Sequence, residues 1–216
     1  MLRHLTHFLE STLHERVKPG IRIADVGCGE QPLRPLITNL GGTYTGIDVQ
    51  QNADSTVDVL ADIGSIPLPG GSFDLVLCSE VLEHVPDTQS AFKELARLCK
   101  TGGVILLTTP FAYPLHEEPH DFVRLTPHQI ESCARKNGLE VEQLTTSGDE
   151  LQVMATVWCN LWTRSGGPRR SIIRAIWNVA MRFPVNAMVQ ALSFLVGPLL
   201  PKRYFLNTLC VLVKRS

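Results

Sequence analysis

Two glycines and two aspartates are spaced as in a nucleoside-binding site. Asp25-Val-Gly27-Cys-Gly29 ends an apolar run, and Asp48 lies 21 positions after Gly27. Glycines allow a tight bend and a close approach of the backbone to a ligand, because they carry no Cβ atom. A carboxylate at the end of the next strand can accept hydrogen bonds from the hydroxyls of a ribose. The alternative is a glycine turn without a ligand, followed by a surface aspartate.

The same loop favours a cationic ligand over a pyrophosphate. The third glycine of the dinucleotide fingerprint is absent, since position 32 is proline. Asp25 lies two residues before the first glycine, and a carboxylate there repels phosphate and attracts an ammonium or a sulfonium. A nicotinamide dehydrogenase is therefore disfavoured.

A second concentration of polar residues comes after the predicted fifth strand. The segment 110–126 holds His116, His120, Asp121 and Arg124 among several prolines. A histidine can take a proton from a substrate hydroxyl, so we expect His116 or His120 to be the general base. Asp121 and Arg124 are expected to form an ion pair that orders the loop. A metal site from His116, Glu117 and His120 is the alternative; Pro119 interrupts any helical face that would present them together, so no metal is predicted.

The elements that position these residues alternate between strand and helix. Helix signals include Thr126-Pro127 as a start and Asn137-Gly138 as a stop, whereas prolines at 32 and 35 predict a late or irregular start of the second helix. The pattern predicts an α/β fold: a doubly wound, mostly parallel, seven-stranded sheet with helices on both faces. The predicted strands are 21–26, 44–48, 56–60, 72–78, 104–108, 139–144 and 207–213; the predicted helices are 4–16, 32–40, 88–100 and 127–137, with further helix through 151–200.

Three segments carry a resemblance to a known family. Ile23-Ala-Asp-Val-Gly-Cys-Gly29 resembles the first motif of class I S-adenosylmethionine-dependent methyltransferases. The segment 62–86 resembles the middle of the type 11 methyltransferase domain, and the segment 98–107 resembles the next part of that domain. The resemblance implies a Rossmann-like methyltransferase fold whose last strand runs antiparallel. It also implies S-adenosylmethionine as cofactor and S-adenosylhomocysteine as product.

The resemblance further implies a cofactor site at the carboxyl ends of the first four strands. The methionine part would lie over the glycine loop with its ammonium near Asp25, and the ribose would bind Asp48. Asp62 and Ile63 would contact the adenine. The residues assigned to the cofactor in this way are Asp25, Gly27, Cys28, Gly29, Asp48, Val49, Asp62, Ile63, Ser79 and Glu80.

Charge divides the chain into two parts. Residues 1–150 hold 11 Lys and Arg against 21 Asp and Glu, whereas residues 151–216 hold 9 Lys and Arg and no acidic residue. Residues 169–183 place Arg170, Arg174 and Arg182 on one stripe of a predicted helix, which is typical of helices that lie in a membrane interface. The 13 residues between Pro184 and Pro198 would extend only about 20 Å as helix, too short to span a bilayer core of about 30 Å.

We therefore predict three parts: a methyltransferase core (1–150), a helical lid or membrane-interface insert (151–200), and a final strand that completes the core sheet (201–216). The insert would cover the acceptor pocket, contact the membrane peripherally, or form a homodimer. We expect O-methylation of a glycan, lipid-linked or other small acceptor. The alternative is a catalytically degenerate binding or scaffold protein at the membrane.

A net charge of −1 argues against nucleic acid as a partner. The six cysteines form no paired motif, which favours free, mostly buried thiols and a location in the cytoplasm.

Overall fold

Seven strands form one mixed sheet in the computed structural model, which describes residues 3–164, 184–189, 191–201 and 203–215. The strands are β1 Arg22–Val26, β2 Thr43–Asp48, β3 Val59–Leu60, β4 Phe73–Ser79, β5 Cys99–Pro110, β6 Leu139–Ser147 and β7 Asn207–Lys214. Their order is β3-β2-β1-β4-β5-β7-β6. All neighbours are parallel except β7, which is antiparallel to both β5 and β6. The predicted fold class is confirmed.

Helices connect the strands on both faces of the sheet. Within residues 3–164 the α-helices are α1 Arg3–Arg16, α2 Arg34–Asn39, α3 Thr88–Leu98, α4 Pro127–Lys136 and α5 Glu150–Arg164. Short 3₁₀ turns span Leu82–His84 and Gly197–Leu199, and residues 184–189 and 191–196 are helical. The predicted helix 169–183, with Arg170, Arg174 and Arg182, lies outside the described residues.

Local chemistry explains where two of the helices begin. The Thr126 hydroxyl accepts a hydrogen bond from the Gln129 amide at 3.1 Å, so it caps α4 just before Pro127, as predicted. Helix α2 begins only at Arg34, and Leu33 gives it no side-chain cap. The prolines at 32 and 35 account for this late start, because proline removes a backbone donor and restricts the residue before it.

Two apolar clusters hold the sheet between the helices. On one face Phe92 and Leu95 of α3 and Ile130 of α4 are fully buried. On the other face Leu9 of α1 and Ile37 of α2 are equally buried. Burial of each such side chain contributes about 1.5–3 kcal/mol, so the strands and their carboxyl ends are firmly positioned.

Two strands differ from their predicted lengths. Strand β5 begins at Cys99 instead of position 104, because Cys99 already pairs with Phe73 across a register shift. Strand β3 covers only Val59–Leu60, because the preceding residues are held by side chains. The Gln31 amide donates to the Thr56 carbonyl at 2.9 Å, and the Val57 amide donates to the Gln51 side chain at 2.8 Å.

Three further sequence predictions concern membrane-spanning helices, the state of the cysteines and the division of the chain into parts. No helix within the described residues combines the length and apolar character needed to cross a membrane. All six cysteines are free and buried, as predicted. The division into 1–150, 151–200 and 201–216 stays a prediction.

Candidate active site

The glycine loop after β1 is shaped by backbone geometry that only glycine tolerates well. Gly27 has a φ of +75° and Gly29 a φ of +49°. A Cβ atom on Gly27 would lie 2.2 Å from the Val81 side chain, so that position has no room for one. The amides of Gly27 and Cys28 donate to the Ile47 carbonyl at 2.8 and 3.1 Å, which ties the loop to β2.

Asp48 at the end of β2 faces the same loop. Its carboxylate accepts hydrogen bonds from the Gly29 amide at 2.9 Å and from the Gln50 amide at 3.2 Å. These contacts fix its orientation, and the side chain remains partly exposed. Val49 follows with 70% of its surface exposed, so it forms an open apolar patch beside the carboxylate.

Two side chains of this edge are buried. Asp25 is 5% exposed and accepts a hydrogen bond from the Tyr44 hydroxyl at 2.6 Å. Burial raises the pKa of Asp25 to about 6, the Tyr44 bond opposes the rise, and the Asp48 charge adds to it. The Cys28 thiol is also buried and accepts from Gln31, so this residue presents mainly its backbone to the loop surface.

Asp62 and Ile63 lie after β3, at the same edge of the sheet. The Asp62 carboxylate is exposed and accepts from the Gly64 amide at 2.7 Å. Ile63 is partly buried and packs on the apolar cluster. An acceptor group beside an apolar side chain can bind a planar ring that carries an amino group.

The segment after β4 connects the glycine loop to the rest of the site. Ser79 and Thr108 share a hydrogen bond of 2.9 Å between their hydroxyls. Glu80 has a φ of +56°, a strained conformation for a residue with a side chain, and such strain is concentrated at functional sites. One Glu80 oxygen accepts from Asn207 at 2.8 Å, while the other is buried without a partner among the described residues. Burial raises the pKa of Glu80.

The loop after β5 is ordered by the predicted ion pair. The two terminal guanidinium nitrogens of Arg124 both donate to Asp121, Nη2 at 2.7 Å, which confirms the pairing. This pairing holds the pKa of Asp121 well below its usual range. A cavity of about 220 Å³ adjoins the pair; its lining consists of Phe111, Tyr113, Leu115, Asp121, Phe122, Val123 and Arg124.

The two candidate bases occupy different positions on this loop. His116 is partly buried, and its Nδ1 lies 3.2 Å from the Asp121 carboxylate. His120 is exposed, and its ring contacts Phe122 at a centroid distance of 6.3 Å. Only His116 therefore combines partial enclosure with a carboxylate that orients its ring.

Sequence reasoning missed Glu83, which the structure places between the two histidines His84 and His116. Glu83 is 1% exposed, and its Oε1 lies 3.7 Å from His84 Nε2 and 3.8 Å from His116 Nε2. Burial raises its pKa to about 8, and the Glu80 charge adds to the rise. The one sequence signal is the pair of acidic residues Glu80 and Glu83, three positions apart in the segment directly after β4.

Comparisons with known proteins agree with this architecture. A family model described as a methyltransferase domain matches residues 24–107. Ubiquinone biosynthesis O-methyltransferase of Thiobacillus denitrificans is 33% identical over 157 residues, which are 58% of this chain and 67% of that protein. The enzyme of the same name from Pseudomonas entomophila is 32% identical over 164 residues, or 61% of this chain and 70% of that protein.

Solved structures share the fold. The chain is similar to Haemonchus contortus phosphoethanolamine N-methyltransferase 2 in complex with S-adenosyl-L-methionine, with a TM-score of 0.64 and 17% identity, covering 96% of this chain and 52% of that one. It is also similar to the [4+2]-cyclase SpnF, with a TM-score of 0.61 and 20% identity, covering 95% of this chain and 79% of that one. One fold thus carries different chemistries, so the function must be argued from the site.

Proposed function

This chain belongs to the methyltransferase domain family, whose members use S-adenosylmethionine as methyl donor, and on that premise we propose that it methylates a hydroxyl oxygen of a small acceptor. Transfer to oxygen is supported by the relatives named O-methyltransferase. The acceptors that we propose are a glycan, a lipid-linked molecule or another small hydroxyl compound. The observation that carries the proposal is a partly enclosed imidazole, His116, on the loop next to the edge that holds the glycine loop.

The donor would bind along the carboxyl ends of β1 to β4. The glycine loop would contact the methionine part of the donor through the backbone of Gly27, Cys28 and Gly29. The bend at Gly27 leaves no room for a side chain at that position. Asp48 and the exposed Val49 would hold the ribose, while the buried Asp25 would attract the ammonium through water. Bound S-adenosylmethionine supplies a methyl group on a positively charged sulfur.

Further along the same edge, Asp62 would accept from the adenine amino group and Ile63 would lie against the ring. Ser79 and Glu80 would border the methyl group. The unpartnered buried oxygen of Glu80 suits a cationic neighbour, since a carboxylate buried without a partner is costly. The acidic character of the whole edge therefore fits a sulfonium better than a phosphate.

His116 would act as general base toward the acceptor hydroxyl. Its Nδ1 lies against Asp121 and the Pro114 carbonyl, which leaves Nε2 as the basic nitrogen. His120 is the second candidate, but its exposure gives it less control over the geometry of a proton transfer. The cavity beside the Asp121–Arg124 pair, lined largely by aromatic and apolar residues, would hold the acceptor. His116 does not line this cavity itself but contacts two residues that do, Tyr113 and Asp121.

We further propose a cytoplasmic enzyme that contacts the membrane surface peripherally through 151–200. Phe194, Leu195 and Leu199 are 84%, 69% and 83% exposed, in a stretch of sequence that contains no acidic residue. Apolar side chains among basic residues favour an anionic lipid surface. Flotation with anionic vesicles tests this contact, and light scattering distinguishes it from a homodimer formed by the same face.

Donor binding and methyl transfer test the proposal separately. Calorimetric titration with S-adenosylmethionine should give saturable binding at one site per chain. Incubation with isotope-labelled donor and fractions of cell-envelope lipids and glycans should transfer label to a hydroxyl compound. Intact folded protein that binds no donor would refute the donor site, and label found only on nitrogen would refute transfer to oxygen.

A further inference from the structure

One buried carboxyl group and two imidazoles converge beside the loop after β5. Glu83 Oε1 lies 3.7 Å from His84 Nε2 and 3.8 Å from His116 Nε2, and one ligand atom from each of the three residues lies within 4.8 Å of the others. The Glu83 side chain is 1% exposed, and neither of its oxygens has a hydrogen-bond partner within the described residues. A buried polar group in this state needs an explanation.

Hydrogen bonds on the far side of each ring determine which nitrogen faces Glu83. His84 Nδ1 lies 2.8 Å from the His120 carbonyl. His116 Nδ1 lies 3.3 Å from the Pro114 carbonyl. A carbonyl oxygen can only accept, so each Nδ1 carries the hydrogen and each neutral ring presents the lone pair of Nε2. Metal-binding histidines are oriented in this way, with one nitrogen donating to a carbonyl or carboxylate while the other coordinates.

The separations fit a shared cation better than a shared hydrogen. A hydrogen bond joins its two heavy atoms at about 2.7–3.2 Å, so the gaps of 3.7 and 3.8 Å are too long for one. Two ligands that each lie about 2.1 Å from a tetrahedral Zn²⁺ are about 3.4 Å apart. A shift of only about 0.3–0.4 Å at each contact would therefore close the three atoms around the ion.

The cluster opens toward solvent on one side. Glu117 Oε2 lies 3.8 Å from His84 Nε2, and the Glu117 side chain is 74% exposed. The side chains of His84 and His116 are 19% and 29% exposed, so an ion has a path to their nitrogens from the surface. Glu117 can supply a fourth ligand, or a water molecule can occupy that position.

The charges that act on Glu83 favour a positive ion. In the chain without a cation, burial raises the pKa of Glu83 to about 8, and the nearby charges of Glu80 and Asp121 add to the rise. Arg124 opposes the rise, but it is paired with Asp121. The same negative charge attracts a cation, which would take the place of the proton on Glu83.

We propose that Glu83, His84 and His116 bind one divalent transition-metal cation of the Zn²⁺ class. Two imidazoles and a carboxylate form a ligand set that Zn²⁺ adopts in sites with an open fourth position, whereas Mg²⁺ and Ca²⁺ prefer oxygen ligands. The site differs from the set of His116, Glu117 and His120 considered from the sequence, because His120 contributes its backbone carbonyl instead of its ring.

The cation would regulate methyl transfer, and this consequence rests on the proposed function. Coordination uses the Nε2 lone pair of His116, and the same lone pair would take the proton from the acceptor hydroxyl. The metal-bound chain would therefore lack its general base. Saturating Zn²⁺ should lower kcat at least about tenfold, and a chelator should restore it.

Metal binding can be measured in the full-length protein without donor or acceptor. After dialysis against a chelator, Zn²⁺ titrated in competition with a chromophoric chelator should occupy one tight site per chain. Glu83→Gln, His84→Asn and His116→Asn should each weaken that site at least about 100-fold. The control His128→Asn, at a position 93% exposed, should leave it intact. Co²⁺ in the native chain should give the visible absorption bands of a site with nitrogen and oxygen ligands.

Three results would overturn the site. They are a native chain without saturable Zn²⁺ binding, ligand variants with the affinity of the native chain, and a thiolate absorption band with Co²⁺, which would place the ion on a cysteine. The first and third use the native chain, so they decide the question even if a variant fails to fold. Zn²⁺ bound at this site without inhibition would instead refute His116 as general base, and absence of donor binding would refute the donor site.

Discussion

The donor edge and the acceptor side of this site are built in opposite ways. At the donor edge Asp25, Asp48 and Asp62 each accept hydrogen bonds from fixed neighbours. Toward the acceptor side, Glu80, which would border the methyl group, and Glu83 beside His116 are buried with carboxyl oxygens that lack partners in the described part of the chain. The first region is organised before any ligand arrives. The second holds unsatisfied groups that a ligand or a proton must satisfy.

The largest effect should come from the acceptor side. His116→Asn should lower kcat by about 10²–10⁴-fold, because a general base contributes that much to a proton transfer. Donor affinity should stay unchanged, since the donor edge does not include this residue. Steady-state kinetics and calorimetry measure the two quantities. The matched control is His120→Asn; an equal loss in both variants would show that the two histidines are not functionally distinct.

The next largest effect should come from the glycine loop. Gly27→Ala places a Cβ atom 2.2 Å from Val81 at a φ of +75°, so we expect donor binding to weaken by about 1–3 kcal/mol. Gly29→Ala meets open space and should cost less. The double variant Gly27→Ala with Val81→Ala should recover part of the loss. Calorimetry would contradict the assignment if Gly27→Ala bound the donor normally.

A smaller effect is expected for Asp48→Asn. The amide keeps one acceptor oxygen for the backbone but removes the charge, so donor affinity should fall by about 1–2 kcal/mol. Fluorescence or calorimetric titration measures the change. Asp54→Asn, an exposed aspartate of the neighbouring loop, is the control. Equal donor affinity in both variants would show that Asp48 does not contact the donor.

The smallest effects should appear as pH dependence of stability. The pKa of Asp25 is raised to about 6 and that of Glu83 to about 8, so the folded state binds protons that the unfolded state releases. The free energy of unfolding should therefore fall as pH rises, over about pH 4–6 for Asp25 and 4.5–8 for Glu83, by about 1–3 kcal/mol each. In denaturant titrations Asp25→Asn should remove the fall in the free energy of unfolding over about pH 4–6, and Glu83→Gln should remove it over about pH 4.5–8. Identical curves for the native chain and Glu83→Gln would show that its pKa is not raised.

The donor edge could be predicted from sequence because its residues are close together in the chain. The strand, the glycine turn and the following aspartate form a local pattern, and the parallel strands carry Gly27 and Asp48 to one edge. The late start of α2 is likewise predictable from its prolines, whereas the early start of β5 is not. That start depends on the pairing of Cys99 with Phe73, which periodicity does not encode.

The acceptor side could be predicted only in part. The ion pair of Asp121 and Arg124 is local, and its residue types and spacing predict it. The contact of Glu80 with Asn207 joins residues 127 positions apart, and the sequence pattern contains no signal for it. Glu83 was missed because an acidic residue beside a histidine usually belongs to a solvated turn. Its burial depends on the loop amides of Phe122 and Val123, which donate to the Glu83 carbonyl at 2.8 and 3.2 Å.

The position of β7 has a consequence for biosynthesis. Because β7 inserts between β5 and β6, both of those strands present open edges to solvent until residues 207–214 have left the ribosome. Open edges template aggregation, so the nascent chain passes through a vulnerable stage whose duration is set by translation of the intervening segment. Since Asn207 also supplies the partner of Glu80, the same event completes the sheet and one wall of the site.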